Sequence, residues 1–278
     1  MSEIKLVQNP STSYMLERDI GKIPALECIH LGIEFGGLHA VDDFNIAIGP
    51  TEIAGLIGPN GAGKTTIFNL LTKVYEPTMG TTLVNGKDTK GMTIPQVSQL
   101  GVARTFQNIR LFKNMSVIDN IRVGMNSSIK CTMADSILRL PRYKNTEAES
   151  YEKAIELLKI FGMENHASDV SGSLPYGMQR KLEILRALAT NPKILLLDEP
   201  AAGMNPAETS ELLDDIQKIR ADFQIAVFLI EHDMNLVMNV CEGICVLNFG
   251  KIIAKGTPYD IQNNPDVIEA YLGKKEDM

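Results

Sequence analysis

Apolar positions along the chain recur with two periods. From Ala25, "ALECIHLGIEF" alternates apolar and polar residues as a half-buried strand does, and Gly36 with Gly37 marks the turn that follows. "FNIAIGPTEIAGLI" adds two short apolar runs, the second ending in a Gly-rich loop. After that loop Ile67, Leu70, Leu71 and Val74 of "TTIFNLLTKV" fall at helical spacing, so the segment reads strand, loop, helix. "TTLVNGKD" sets an Asn-Gly turn after a short strand and predicts a β-hairpin. Residues 1 to 22 are polar and aperiodic and predict a flexible arm.

Strand signals stop beyond residue 107. Ser116 with Asp119, and Thr146 with Glu149, each read as a helix N-cap with an acid three positions on, so a mainly helical insertion is expected over about 108–180. In "GSLPYGMQRK" a loop feeds a helix, with Pro175 where prolines open helices. Strands return at "KILLLDE" and "IAVFLIE", separated by a helix that begins "NPAE", capped by Asn205 with Pro206 in its first turn. "GTPYDIQNNPDVIEAYLG" predicts two short helices. Strands alternating with helices on either side of a helical insert define an α/β protein with a mostly parallel sheet.

Composition narrows the partners. With 278 residues, 44% hydrophobic and 22% charged, the chain suits one core with an embedded sub-lobe. A net charge of −7 argues against nucleic acid as the main partner. Cys28, Cys131, Cys241 and Cys245 lack zinc-type spacing, and a chain this size needs no disulfides; reduced, buried thiols in a cytosolic compartment are expected. There is no run of 18 or more apolar residues and no signal peptide. If the protein works at a membrane, another chain must supply the span. The basic "RLPRYK" at 139–144 reads as solvated surface in preference to a contact with lipid headgroups.

The strongest chemical signal is "GPNGAGKT", which fits GxxxxGK[ST] and lies between a strand and a helix as that motif requires. Gly58, Pro59, Asn60, Gly61, Ala62, Gly63, Lys64, Thr65 and Thr66 form a loop whose glycines would let its backbone N–H groups, which Pro59 lacks, point toward phosphates at the positive end of the helix. Lys64 adds charge there, and the Thr65 hydroxyl is placed to ligate Mg²⁺. "ILLLDEP" ends an apolar strand in two acids: Asp198 to hold the metal, Glu199 to polarise the attacking water. His232 follows another buried strand, where it can hydrogen-bond the terminal phosphate. Gln107 can reach the metal or the water by its amide, or is a surface glutamine. Phe35 can stack on a purine, or is a core aromatic. His30, His39 and His166 read as structural.

Together these motifs resemble the nucleotide-binding subunit of ATP-binding cassette (ABC) transporters. "GPNGAGKTT" is similar to the Walker A motif of that family, "ILLLDEP" to its Walker B, Gln107 to its Q-loop residue, His232 to its switch histidine and Phe35 to its base-stacking aromatic. The resemblance runs from about residue 24 to 273. It implies a P-loop NTPase (RecA-like) core with an antiparallel β subdomain and an inserted α-helical subdomain, occupying residues 23–273 between the arm and a polar tail at 274–278. "FGGLHAVDDF", "RTFQNIRLF", "DEPAAGMNP" and "NNPDVIEAYLG" are similar to the subfamily serving branched-chain amino acid import, whose relatives handle urea, short amides or lipopolysaccharide export.

The family's signature LSGGQ stands here as "LPYGM", so Pro175, Tyr176 and Gly177 are expected at the terminal phosphate of ATP bound by a second cassette. The missing serine hydroxyl removes one hydrogen bond, and Asn205 replaces the usual aspartate of the following loop. The resemblance further implies ATP and Mg²⁺ as cofactors and a second ABC subunit, identical or related. Membrane permease subunits, and through them a substrate-binding protein, complete the partners, with the chain on the cytoplasmic face of the membrane. Phe112 and Met115, near Gln107, are candidate docking contacts, or equally part of the insert's own core. A soluble mechanical ABC ATPase and a P-loop kinase are the competing readings.

Overall fold

The computed structural model describes residues 6–8, 14–125 and 141–272. The strands are β1 (Leu6–Gln8), β2 (Tyr14–Leu16), β3 (Leu26–Phe35), β4 (Leu38–Ile48), β5 (Ile53–Ile57), β6 (Met79–Val84), β7 (Lys87–Asp88), β8 (Val102–Arg104), β9 (Ile194–Asp198), β10 (Ala226–Ile230), β11 (Gly243–Asn248) and β12 (Lys251–Gly256). The helices are α1 (Lys64–Leu71), α2 (Ile94–Gln99), α3 (Val117–Met125), α4 (Pro141–Ile160), α5 (Tyr176–Leu188), α6 (Pro206–Phe223), α7 (Met234–Val240), α8 (Pro258–Gln262) and α9 (Pro265–Leu272).

Six strands form a central sheet in the order β12-β11-β5-β10-β9-β8, parallel except for the edge strand β12. Both of its faces are covered. On β9 and β10, Leu195, Leu197, Val227 and Leu229 enter one apolar core, while Ile194, Leu196, Ala226, Phe228 and Ile230 enter the other. Burial on two faces is why "KILLLDE" and "IAVFLIE" are continuously apolar rather than alternating. A second, antiparallel sheet in the order β4-β3-β6-β7 closes the latter core over α1. Its β6–β7 turn places Asn85 and Gly86 at φ 49° and 74°, the left-handed pair that an Asn-Gly hairpin requires.

Between β8 and β9 the described residues carry the helices α3, α4 and α5. Ser116 caps α3: its Oγ accepts from the Asp119 amide at 3.1 Å and donates to the Asp119 carboxylate at 2.7 Å. Thr146, by contrast, lies inside α4 rather than at its start. Residues 126–140, with Cys131 and the first two residues of the basic stretch, lie outside the described residues, as does the tail at 274–278.

Two more expectations shift. Helix α1 ends at Leu71, leaving Val74 outside it, because Lys73 turns left-handed at φ 59°. The segment read as a flexible arm is partly tied down. β1 pairs with β2, the Arg18 guanidinium makes two bonds of 2.7 and 2.8 Å to the Glu242 carboxylate, and Asp19 is buried against Gly49. Cys28, Cys241 and Cys245 are buried free thiols, and burial raises their pKa values, which keeps them unreactive. None of the described helices is long and apolar enough to cross a membrane.

Candidate functional site

The loop at 58–63 leaves the carboxyl end of β5, a central strand, and feeds α1. Two glycines let it pass between neighbouring strands. A Cβ on Gly58 would collide with the Leu247 carbonyl of β11, and one on Gly63, at φ 105°, would stand 2.7 Å from the Ala40 carbonyl of β4. Lys64 folds back over the loop, its ammonium donating to the Gly58 carbonyl at 2.6 Å and the Pro59 carbonyl at 3.0 Å. Burial lowers its pKa, opposed by the negative charges of Glu199 and Asp198. Asn60, Gly61 and Thr65 are exposed, Pro59 and Thr66 half-buried and Ala62 buried. The amino end of α1 thus faces outward at a loop already carrying a cation.

Facing it are the ends of β8, β9 and β10. Glu199 holds a left-handed backbone at φ 47° although it is not glycine, a conformation that costs about 1–3 kcal/mol. Its amide bonds the Ile230 carbonyl at 2.9 Å, which turns the side chain away from the strand that carries Asp198. The Glu199 carboxylate accepts from Gln107 Nε2 at 2.8 Å and lies 3.9 Å from His232 Nδ1, so Gln107, Glu199 and His232 meet. Asp198 is engaged elsewhere, by Arg104 at 2.8 Å. Thr65, Arg104, Gln107, Phe112, Val74 and Asp198 line one groove of about 940 Å³. Met115 is not part of its wall; its backbone bonds Phe112 and Ser171 instead.

Phe35 is no core aromatic. It is 46% exposed at the end of β3 and meets Tyr75 edge-on at 5.3 Å between centroids.

Pro175 is the N-cap of α5, with Tyr176 as the first helical residue; its carbonyl accepts from the Gln179 amide at 3.0 Å. Tyr176 and Gly177 pack on the segment after Glu199. A Cβ on Gly203 would touch the Tyr176 ring at 3.1 Å, and one on Gly177 would meet the Glu208 carboxylate at 3.0 Å. Helix α5 also grips the chain around Gln107: Arg180 donates to the Phe106 carbonyl at 2.7 Å and to that of Gln107, and Glu183 accepts from the Arg110 amide at 3.1 Å.

Sequence reasoning overlooked four of these groups: Arg104, Arg180, Glu183 and Glu231. Glu231 is buried, its pKa raised by burial, and its carboxylate accepts from the Ala201 amide at 3.0 Å and the His232 amide at 3.2 Å. It thereby joins the loop after Glu199 to the loop of His232. Chain order alone did not point to it: Glu231 follows Ile230, and only the sheet register sets Ile230 beside Asp198.

The Thr65 hydroxyl, the Asp198 carboxylate and the Gln107 amide are hard oxygen groups suited to Mg²⁺. Among the described residues no three His, Cys, Asp or Glu side chains form a metal cluster. A Mg²⁺ ion here would therefore complete its shell with phosphate oxygens and water.

Residues 41–202 match the ABC transporter family, and residues 251–277 match a second family described as branched-chain amino acid ATP-binding cassette transporter. The chain is 46% identical over 251 residues to the high-affinity branched-chain amino acid transport ATP-binding protein LivG of Escherichia coli, covering 90% of this chain and 98% of that protein. The lipopolysaccharide export system ATP-binding protein LptB of Haemophilus influenzae is 33% identical over 84% of this chain and 91% of its own length. A crystal structure of an ATP-binding cassette of an ABC transporter in its ADP conformation superposes with a TM-score of 0.79 at 28% identity, over 91% of this chain and all of that one. The fold is that of these cassettes, and this chain belongs to the ABC transporter family as one of its ATP-binding subunits.

Proposed function

We propose that this chain binds and hydrolyses ATP to energise uptake of branched-chain amino acids through a membrane permease. The observation that carries the reading is the convergence of Lys64, Asp198, Glu199, Gln107 and His232 past the carboxyl ends of four parallel strands, β5, β9, β8 and β10, with Asp198 and Glu199 sharing β9. Sites at the carboxyl ends of such strands are where α/β sheets bind ligands. The choice of cargo follows the relatives' descriptions and the family matched by the C-terminal segment.

In this reading the loop Gly58–Thr66 cradles the phosphates, Lys64 leaves the Gly58 and Pro59 carbonyls for phosphate oxygens, and Phe35 stacks on the base. Glu199 takes the proton of the attacking water. Gln107 and His232 hold the Glu199 carboxylate in place and sense the terminal phosphate. Mg²⁺, held by Thr65 and Asp198 with Gln107 nearby, would neutralise phosphate charge in the transition state. Pro175, Tyr176 and Gly177 act across a dimer on ATP held by a second cassette, identical or related. The groove beside Gln107 receives the permease, with Phe112 as an apolar contact. Because α5 grips the Phe106 and Gln107 carbonyls, a push in the groove moves the signature too. Such a chain works as a peripheral subunit at the cytoplasmic face, with a substrate-binding protein acting through the permease. The match to LptB keeps lipopolysaccharide export as a second reading.

Affinity capture of the Glu199→Gln chain with ATP from its native membranes tests this. Recovery of multi-span membrane proteins together with a substrate-binding protein supports import. Recovery of ribosomes or DNA alone contradicts any transport role.

A further inference from the structure

Asp198 ends a strand buried on both faces, and its side chain is only 6% exposed. A carboxylate this enclosed needs a partner. The partner is Arg104, which is equally buried and donates from Nη2 to Asp198 Oδ2 at 2.8 Å. Arg104 ends β8, which pairs in parallel with β9, so the two side chains leave neighbouring strands at the same edge. The guanidinium is held on its other side as well. Its Nη1 donates to Asn69 Oδ1 of α1 at 2.8 Å, and its plane stands 5.5 Å from the Phe68 ring and 5.1 Å from that of Phe106. Arg104 Nε is buried without a hydrogen-bond partner, a cost tolerated in a group that another demand holds in place. One cation thus touches the helix after the phosphate loop, the strand leading to Gln107 and the carboxylate expected to hold the metal.

We propose that Arg104 is a resident counter-ion for Asp198 that competes with the nucleotide-bound divalent cation and so sets the metal affinity of the site. The proposal rests on the reading of Asp198 as a metal-holding carboxylate. With the site empty, Arg104 neutralises a charge that would otherwise lie buried and unpaired. With nucleotide and metal present, the same fixed charge repels the cation and limits how tightly it is held. Arg104 touches neither nucleotide nor water in this account; it is a positioning residue that acts through Asp198.

Titration of the full chain with Mn²⁺ in the presence of ADP, followed by the electron paramagnetic resonance of free Mn²⁺, tests this without any turnover. Arg104→Met should tighten Mn²⁺ binding by about tenfold. Arg104→Lys, which keeps the charge, should stay within about twofold of the unaltered protein. If the Met variant does not fold, Arg104→Gln keeps a donor to Asp198 without the charge and carries the same expectation. A purely structural ion pair would lower thermal stability in these variants and leave Mn²⁺ affinity unchanged or weaker, which would overturn the proposal. Asp198→Asn separates the two layers: it should weaken Mn²⁺ binding sharply, and unchanged binding in that variant overturns the metal-site reading together with the role of Arg104.

Discussion

At the scale of the residue, side chains are set by what surrounds them more than by their type. Glu52 lies buried beneath the segment at Arg18–Lys22, and burial pushes its pKa up to about 8, opposed by the Gly49 amide at 2.8 Å. The folded chain therefore keeps a proton that the unfolded chain releases near the ordinary value of 4.5. This contribution to stability is complete below that pH and is lost as pH rises toward 8. Glu52→Gln should flatten the fall in stability between pH 5 and 8 and raise the urea midpoint at pH 8; an unchanged slope would show that Glu52 does not titrate there. Pro175 makes a different case. It caps α5 without a side-chain bond. Pro175→Ser should add about 1 kcal/mol of stability through a helix cap. Across a dimer, its hydroxyl should tighten ATP-driven association by about 10- to 150-fold, the equivalent of a hydrogen bond to a charged group of about 1.5–3 kcal/mol. Sedimentation with ATP would show it, and association no tighter than in the unaltered chain would place Pro175 away from the partner's phosphate. Lys64, Asp198, Glu199 and His232 could be placed from sequence because each follows a recognisable strand or loop, whereas Gln107 stayed open between a site residue and a surface glutamine. Arg104 and Glu231 could not be placed, because their role lies in a neighbour from another strand, which spacing along one chain does not reveal.

At the scale of the element, local chemistry placed the ends of strands and helices well where a side chain bonds its own backbone. Asn205 accepts from the Ala207 and Glu208 amides at 2.9 and 3.0 Å, and Glu208 returns a bond to the Asn205 amide at 2.9 Å, so α6 begins at Pro206 as its sequence predicts. Thr146 carried the same residue pattern, yet α4 runs straight through it. Inside a helix the amides that a cap would serve already bond the carbonyls of the preceding turn, so the residue pattern alone sets no boundary there. Asn205→Ala should cost about 1 kcal/mol in urea unfolding. Because Glu208 of the same capping pair packs on Gly177, the substitution should also weaken ATP-driven dimerisation. Loss of stability with dimerisation unchanged would separate the cap from the signature.

At the scale of the whole molecule, the central sheet brings four strand ends and the start of α1 to a single edge, and α5 ties the insert to Gln107. The parallel sheet was legible from apolar runs buried on two faces. The anchoring of the N-terminal segment through Arg18 and Glu242 was not, since it joins residues far apart in the chain. If two cassettes share each ATP, the specific ATPase activity of the isolated chain should rise with protein concentration before levelling off. A constant specific activity would mean that one chain suffices. The claim that matters most is that hydrolysis at Glu199 drives uptake of branched-chain amino acids. Its most direct test is the uptake of radiolabelled leucine, isoleucine and valine by cells in which Glu199→Gln replaces the natural chain. The account predicts that this uptake falls at least ~100-fold while the variant remains at the membrane, in keeping with the loss of a general base. Undiminished uptake of all three by cells whose variant chain no longer hydrolyses ATP would contradict it.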